Sequence, residues 1–196
     1  MTLKVFDDHI ENVDRVSLLH SEDYQSIQQG DYRFWKMSEF DTPNNTIEQA
    51  LHEIWKDIIN PIDYKEGGIE YWVTKSKGDA SAVWHVDTPG PGYGIDNMSH
   101  FSMEIPPAHT IVYYPWVENL QGGFLEIICN EQYPTTDQMF ETLKKLDPNT
   151  IERFQPITNR AILFDSHRIH RMAKMYSGSR EMIASTIWTK IPLTFK

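Results

Sequence analysis

The sequence contains a single cysteine, Cys129, among its 196 residues. One cysteine excludes an internal disulfide framework and a zinc site built from several thiolates. Basic residues are also scarce, because 18 lysines and arginines stand against 28 aspartates and glutamates, for a formal net charge of −10. Proteins that bind nucleic-acid phosphates by counterion release need the opposite balance, so a nucleic-acid partner is not expected.

Long hydrophobic runs are missing as well. The longest mostly apolar stretch, residues 111–117, is far too short to cross a bilayer. The N-terminus becomes acidic at Asp7 and Asp8 and has no apolar core of a signal peptide. We therefore expect a soluble, cytoplasmic protein without a membrane partner.

Two segments have helical character. An apolar stripe with helical spacing covers residues 47–58, with a capping box of Asn45 and Glu48 before it and Pro61 after it. A shorter helix is predicted over residues 137–146. Its predicted inward-facing residues are Phe140, Leu143 and Leu146.

Most of the remaining sequence predicts strands. Aromatic residues make up 12% of the chain, and residues 1–45 are polar and irregular in pattern. Eight short segments rich in β-branched or aromatic residues, each bounded by turn residues, are typical of strands. They are residues 69–75, 82–87, 100–105, 110–116, 124–128, 160–164, 170–175 and 181–189. Because helices are missing between these strands, the pattern predicts a mainly β fold with flanking helices, a double-sheet jelly roll or related barrel.

One short motif suggests a metal site. His85 and Asp87 are two residues apart on a predicted strand, so their side chains point to the same face of the sheet. An imidazole and a carboxylate presented in this way can bind one metal ion. Taken alone, the motif is weak, since a buried histidine bonded to a surface aspartate is a more frequent reason for it.

A second segment adds a histidine and an arginine. His170 is predicted to open one strand, and Arg180 to open the next one beyond a tight turn at residues 177–178. If these strands pair across the turn, the two side chains lie near the same end of the sheet. Two histidines and one carboxylate form the facial triad that suits non-haem Fe(II), and an arginine fork suits a carboxylate. The cluster predicts an iron site with a dianionic cosubstrate.

Together with the segment Gly122-Gly123-Phe124-Leu125, these residues resemble the Fe(II)/2-oxoglutarate-dependent oxygenases, most closely the prolyl 4-hydroxylase-like branch. That branch has His-x-Asp, then Gly-Gly-x-Leu, then a distal His followed ten residues later by Arg or Lys. The resemblance covers residues 67–190. It implies a double-stranded β-helix (jelly roll, cupin-like) core over residues 67–196, with an N-terminal helical support over residues 1–66 in the same single domain.

The resemblance also implies roles for individual residues. His85, Asp87 and His170 would hold Fe(II), and Arg180 would bind 2-oxoglutarate. We assign a second cofactor contact to Tyr113, with Tyr71 and Tyr114 as alternatives. A tyrosine is sought here because Lys75 stands where the branch often has one. No catalytic residue beyond the metal ligands is predicted. With Fe(II), 2-oxoglutarate and O2 as cofactors, the expected reaction hydroxylates an unactivated C–H bond and releases succinate and CO2.

Two further residues are candidates for substrate contact. Tyr93 lies in the loop over residues 88–98, which follows Asp87 directly. This loop is either a lid over the iron or a plain surface turn. His167 competes with His170 as third metal ligand. The ten-residue spacing to Arg180 favours His170 and leaves His167 to contact solvent or substrate.

Other functions fit the motifs less well. A non-oxidative cupin-like metal-binding module or isomerase would show His-x-His, whereas Asp87 occupies the second position here. A nucleic-acid dealkylase of the same superfamily would carry a second arginine six residues after the first, where Thr186 stands. The substrate is expected to be a small molecule or a peptide, such as a prolyl residue or an amino-acid-like compound. The N-terminal region either shapes the barrel mouth or forms a homodimer.

Overall fold

The computed structural model describes residues 3–28, 30–87, 107–129, 134, 136–192 and 195. The α-helices in this part of the chain are α1 (Asn12–His20), α2 (Glu22–Ser26), α3 (Thr46–Trp55) and α4 (Thr136–Lys144). The strands are β1 (Leu3–Phe6), β2 (Arg33–Lys36), β3 (Gly68–Lys77), β4 (His109–Gly122), β5 (Leu125–Ile128), β6 (Ile151–Phe154), β7 (Arg160–Asp165), β8 (His170–Met172) and β9 (Met175–Trp188). None of these helices is long and apolar enough to span a membrane.

The strands form two antiparallel sheets. The large sheet has the order β1-β7-β4-β9-β3-β2, and the small sheet has the order β6-β5-β8. Val112 and Tyr114 of the large sheet share one apolar cluster with Leu125 and Ile127 of the small sheet, so the two sheets pack face to face. The predicted mainly β jelly-roll fold with flanking helices is confirmed.

The large sheet has two different faces because side chains alternate along each strand. On β4, Ile111 and Tyr113 pack with the helices, whereas Val112 and Tyr114 face the small sheet. The helical face is closed by α3, and its Trp55 indole Nε1 donates to the Ser185 hydroxyl at 3.0 Å. This alternation decides which side chains can reach the space between the sheets.

The helix predicted after residue 45 is confirmed as α3. Asn45 caps it, because its side-chain oxygen accepts the Glu48 backbone N–H at 2.9 Å. The Glu48 carboxylate reaches back to the Asn44 N–H at 2.8 Å, one residue earlier than a capping box would place it. The helix ends at Trp55, and Pro61 opens a short 3-10 turn.

The second predicted helix is confirmed as α4, with one error in its inward face. Phe140 is 42% exposed, whereas Met139 is fully buried. Leu143 and Leu146 pack beside Met139. The apolar stripe is therefore Met139, Leu143 and Leu146, at the i, i+4, i+7 spacing of a helix face, and Phe140 lies outside it.

The N-terminal region is more regular than its composition indicates. Residues 1–45, expected to be irregular, contain β1, β2, α1 and α2. β1 pairs with β7, and β2 pairs with β3, so both strands form edges of the large sheet. Such short strands are stabilised by pairing with residues far away in sequence, which a local pattern does not show.

The predicted strands and the structure differ at residues 82–87 and at β6. Residues 82–87 form no strand and make only an isolated bridge between His85 and His170. The strand expected over residues 100–105 lies outside the described residues. β6 was not predicted, because it is short and only partly buried.

The tight turn predicted at residues 177–178 is wrong, because this segment lies inside β9. Gly178 has φ +86, and its backbone lies so close to the carbonyl of Asn119 that a Cβ would be 2.4 Å from that oxygen. The register between β4 and β9 shifts after Glu118. The glycine therefore marks a β-bulge in a long strand rather than a hairpin turn.

Candidate metal centre and its cavity

His85, Asp87 and His170 converge between the two sheets. Each offers one ligand atom, and these atoms lie within 4.8 Å of one another. His170 Nε2 lies 3.6 Å from Asp87 Oδ1. The two histidines exchange backbone hydrogen bonds of 2.9 and 2.8 Å, which sets their rings side by side with centroids 4.3 Å apart. This isolated bridge to β8 positions His85, a role that the sequence analysis assigned to a strand over residues 82–87.

Both imidazoles are oriented by backbone carbonyls. His85 Nδ1 lies 2.8 Å from the carbonyl oxygen of Val83, and His170 Nδ1 lies 2.9 Å from that of Arg168. Because a carbonyl oxygen only accepts, each Nδ1 carries the proton and each Nε2 presents its lone pair to the centre. Burial lowers the pKa of His170 to about 4, so this ring is neutral at pH 7, as a metal ligand must be.

The Asp87 carboxylate is held by a cluster of buried hydroxyls. Its Oδ2 accepts from the Thr110 hydroxyl. That hydroxyl in turn lies 2.8 Å from the Ser166 hydroxyl and 3.3 Å from the Thr186 hydroxyl. Asp87 Oδ1 faces His170. Two imidazole nitrogens and one carboxylate oxygen on the same side of a cavity have the chemistry of a facial-triad site for Fe(II).

The metal cavity, as we name it, has a volume of about 440 Å³ and walls from both sheets. Its polar lining includes His85, Asp87, Thr110, Tyr114, His170 and Arg180. Arg180 is 1% exposed, and its Nη1 donates to the carbonyl oxygen of Gly123 at 2.9 Å. Its other terminal nitrogen contacts the Met172 sulfur.

Two polar atoms in this cavity are buried without a partner. In the described part of the chain, neither Arg180 Nε nor the Tyr114 hydroxyl makes a hydrogen bond. The guanidinium lies 5.6 Å from the centroid of the Tyr114 ring. Burial lowers the pKa of Arg180, and the neighbour that opposes this effect is Tyr114 rather than a carboxylate. A buried cation of this kind fits a bound anion, since unpaired buried charge is costly.

The structure places Arg180 in the same cavity as the triad, but not by the predicted route. His170 and Arg180 were expected on neighbouring strands of one sheet. They lie instead on β8 of the small sheet and β9 of the large sheet. The error follows from the bulge at Gly178, because a continuous β9 cannot fold back onto β8 there.

The tyrosine assignment is corrected by the alternation along β4. Tyr113 points to the helical face, where its hydroxyl donates to Asn159 Oδ1 at 3.0 Å, so it cannot contact a cofactor in the metal cavity. Tyr71 also lies in the cluster on the helical face and donates to Glu48 Oε1 at 3.1 Å. Tyr114 is the member of the three that lines the metal cavity. Adjacent residues of a strand point to opposite faces of the sheet, so an assignment that is wrong by one residue selects the wrong face.

Of the two predicted substrate contacts, only His167 lies within the described residues. His167 is half-buried between β7 and β8 and is absent from the lining of the metal cavity. Tyr93, with the whole loop over residues 88–98, lies outside the described residues. The sequence reasoning missed Thr110, Ser166 and Thr186. Thr110 and Thr186 are cross-strand partners on β4 and β9, a relation that appears only once the register is known.

Comparison with known proteins yields structural similarity alone. No protein-family model matches the sequence, and no curated protein sequence is similar to it. Solved structures do match. A prolyl-4-hydroxylase from Pseudomonas putida aligns with TM-score 0.59 at 11% identity, over 95% of this chain and 91% of the other.

Two more structures cover nearly the whole chain. HygX from Streptomyces hygroscopicus, solved with nickel and 2-oxoglutarate bound, gives TM-score 0.58 at 12% identity over 95% of this chain and 82% of the other. A prolyl hydroxylase from Trichoplax adhaerens was solved in complex with a hypoxia inducible factor oxygen degradation domain peptide fragment. It gives TM-score 0.55 at 14% identity, over 95% of this chain and 83% of the other. The chain therefore has the fold of the 2-oxoglutarate/Fe(II) oxygenases, as the motifs indicated.

Proposed function

We propose that this protein is an Fe(II)- and 2-oxoglutarate-dependent dioxygenase that hydroxylates an unactivated C–H bond and releases succinate and CO2. The observation that carries the proposal is the meeting of His85, Asp87 and His170 in the same cavity as the buried Arg180. A metal triad alone would suit many reactions. A triad facing a buried guanidinium suits a metal-chelating cosubstrate with a second carboxylate.

In this proposal the chain holds and orients its cofactors. Nε2 of His85, Nε2 of His170 and Oδ1 of Asp87 would bind Fe(II), leaving the other coordination positions open to the cavity. Bound Fe(II), 2-oxoglutarate and O2 supply the oxidation of the C–H bond, as cofactors do in general. The Thr110 hydroxyl keeps Asp87 Oδ2 occupied, which favours coordination through Oδ1.

The distal carboxylate of 2-oxoglutarate would bind to Arg180, with the Tyr114 hydroxyl beside it. Both partners carry buried polar atoms that lack hydrogen bonds in the described structure, so a carboxylate between them would satisfy both. Apolar side chains such as Val112, Leu125 and Ala184 complete the wall and exclude water from the reacting centre. A non-oxidative cupin-like module would have no use for this arginine.

The substrate is proposed to be a prolyl residue or an amino-acid-like compound, either free or within a peptide. Two of the matched structures are prolyl hydroxylases, and one of them holds a peptide fragment. These facts belong to those proteins and support a peptide or amino-acid substrate here only by analogy of fold.

The experiment is a turnover assay with mass-spectrometric detection. Purified protein with Fe(II), 2-oxoglutarate and O2 is screened against free amino acids and proline-containing peptides for products gaining one oxygen atom, with succinate measured in parallel. We expect succinate that depends on Fe(II) and O2 and disappears in Asp87→Ala and His170→Ala, but persists in His167→Ala. Equal succinate from the wild type and Asp87→Ala would contradict the proposal.

A further inference from the structure

A second concave surface lies on the outer face of the small sheet. We call it the outer groove. It measures about 790 Å³. Its lining includes charged and large aromatic side chains, namely Trp84, Glu126, Arg153, Arg171, Lys174 and Tyr176. It touches the metal cavity, because Ser81, Ala82, Arg171 and Met172 line both.

The centre of the outer groove is a transverse row of charged side chains. Arg153, Glu126 and Arg171 are register partners on β6, β5 and β8. Glu126 Oε1 accepts from Arg153 Nε at 2.8 Å, and its Oε2 accepts from Arg171 Nε at 2.7 Å. Beyond the row, the Trp84 ring covers the Arg171 guanidinium, with its centroid 4.4 Å away. The single carboxylate thus orients two guanidiniums on the same surface.

This groove has the opposite charge to the protein as a whole. Among the described residues that line it, Arg153, Arg171 and Lys174 contribute three positive charges, and Glu126 contributes one negative charge. Asp79 lies 3.1 Å from Lys174, but both side chains are largely exposed, so this pair is worth little. On a chain of formal net charge −10, a positive groove attracts an anionic partner and repels a cationic one.

The apolar residues of the groove indicate the form of that partner. Val83 and Tyr176 line it and are 65% and 69% exposed. A compact anion would need only the arginines and would leave these side chains in water. A chain that presents acidic and apolar side chains in turn would use both, as in acidic-motif recognition by arginine clusters.

We propose that the outer groove docks an extended acidic peptide segment of the substrate, beside the metal cavity with which it shares lining residues. The inference deepens the proposed function and rests on it, because the docked segment would belong to the molecule that is oxidised. Carboxylates of the segment would bind to Arg153 and Arg171, and its apolar side chains would cover Val83 and Tyr176. Arg171 and Met172, which line both spaces, would connect docking to the metal cavity.

The test is a binding measurement on the metal-free protein by fluorescence anisotropy. The probe is a short fluorescein-labelled peptide of alternating aspartate and leucine, and its matched control has asparagine at every aspartate. We expect the acidic peptide to bind and the amide peptide to bind far more weakly. Arg171→Gln and Arg153→Gln should each weaken acidic-peptide binding by about tenfold, the value of one charged hydrogen bond.

Two variants sharpen the result. Lys56→Gln removes the same charge from an exposed position of the helical layer and should leave binding unchanged. Glu126→Gln removes the carboxylate that competes with the peptide for the two guanidiniums. It should tighten binding of the acidic peptide and leave binding of the amide peptide unchanged. Arg153 is 53% exposed on β6, so its variant tests the groove even if Arg171→Gln fails to fold.

Several outcomes would overturn the proposal. One is equal affinity for the acidic and the amide peptide. Another is an equal loss of acidic-peptide affinity in Lys56→Gln and Arg153→Gln. The third is binding of inorganic phosphate at the arginines without any peptide binding. Because no metal or cosubstrate is present, docking is measured apart from turnover. Peptide binding without succinate formation would refute the proposed reaction, whereas succinate formation without peptide binding would refute the groove.

Discussion

The carboxylate of Asp87 accepts a hydrogen bond from a buried hydroxyl. Thr110 donates to its Oδ2 and is itself in contact with the Ser166 and Thr186 hydroxyls. The strands that provide Thr110 and Thr186 are central members of the large sheet. The hydroxyl cluster therefore fixes the candidate ligand Asp87 relative to the large sheet, as hydrogen-bond partners of metal ligands do in other metal sites.

Thr110→Val should lower metal affinity while keeping the shape of the side chain. We expect about a tenfold to 100-fold loss for Mn(II), since an outer-shell partner is typically worth this much. Thr110→Ser retains the hydroxyl and should bind within a few-fold of the wild type. Titration followed by electron paramagnetic resonance measures both constants. Equal affinities for the valine and serine variants would show that the hydroxyl has no orienting role.

Tyr113 and Tyr114 offer a matched pair, because adjacent residues of β4 lie on opposite faces of one sheet. Tyr114→Phe removes a hydroxyl from the metal cavity and should weaken 2-oxoglutarate binding by a few-fold to tenfold, the range for one hydrogen bond to a charged group. Tyr113→Phe removes the hydrogen bond to Asn159 and should leave 2-oxoglutarate affinity unchanged. We expect Tyr113→Phe to lower the free energy of unfolding by about 1 kcal/mol.

Isothermal titration with 2-oxoglutarate in the presence of Mn(II), together with urea unfolding, separates the two effects. A loss of 2-oxoglutarate affinity in Tyr113→Phe larger than that in Tyr114→Phe would show that the faces of β4 are assigned incorrectly.

Among the elements, β9 links Arg180 to the rest of the large sheet. It pairs with β3 on one side and β4 on the other, and Arg180 lies two residues after Gly178. The bulge at Gly178 lets the strand pass the backbone of Asn119, where a Cβ would meet backbone atoms at 2.4 to 2.6 Å. The position of Arg180 therefore depends on a glycine that makes no contact with the cavity.

Gly178→Ala should destabilise the protein more than a comparable change elsewhere. Gly30 has a similar φ of +93, with nothing within 4 Å of an added Cβ, so Gly30→Ala measures the backbone strain alone, about 1 kcal/mol. Gly178→Ala adds a backbone clash and should exceed that loss by about 1–3 kcal/mol, as overpacking does. Urea unfolding at equilibrium gives both values, and equal losses would mean that the close approach to Asn119 is relieved at little cost.

Across the whole molecule, the candidate metal site joins the two sheets. His170 belongs to the small sheet, while Asp87 is held by Thr110 of the large sheet. Bound metal would therefore link the two layers of the sandwich. Since the unfolded chain has no assembled site, binding free energy adds to folding free energy.

Mn(II) with 2-oxoglutarate should raise the thermal midpoint of the wild-type protein. At a free ligand concentration of about 100 times Kd, the expected stabilisation is about 2.7 kcal/mol. Asp87→Ala should show no rise, and His167→Ala should show the full rise, because His167 lies outside the cavity lining. Differential scanning calorimetry under air-free conditions makes the comparison. A full rise in Asp87→Ala would place the bound metal elsewhere.

The sequence by itself determined the features that depend on short-range pattern. The stripe after Asn45 predicted α3, the β-rich segments predicted a mainly β fold, and the residue types at His85, Asp87 and His170 indicated a site for Fe(II). The helix, the strands and the pair His85 and Asp87 each depend on a pattern within one element or motif, and His170 was joined to that pair by the family resemblance. The ligand set proposed from the sequence is the set that the structure brings together.

Only the tertiary structure decided which side chains share a space. It placed Tyr114 rather than Tyr113 in the cavity, set His170 and Arg180 on facing sheets, and aligned Arg153, Glu126 and Arg171 across three strands. The physical reason is that strand pairing and register join residues far apart in sequence. A shift of one residue, or one bulge, exchanges the two faces of a strand without changing its local pattern.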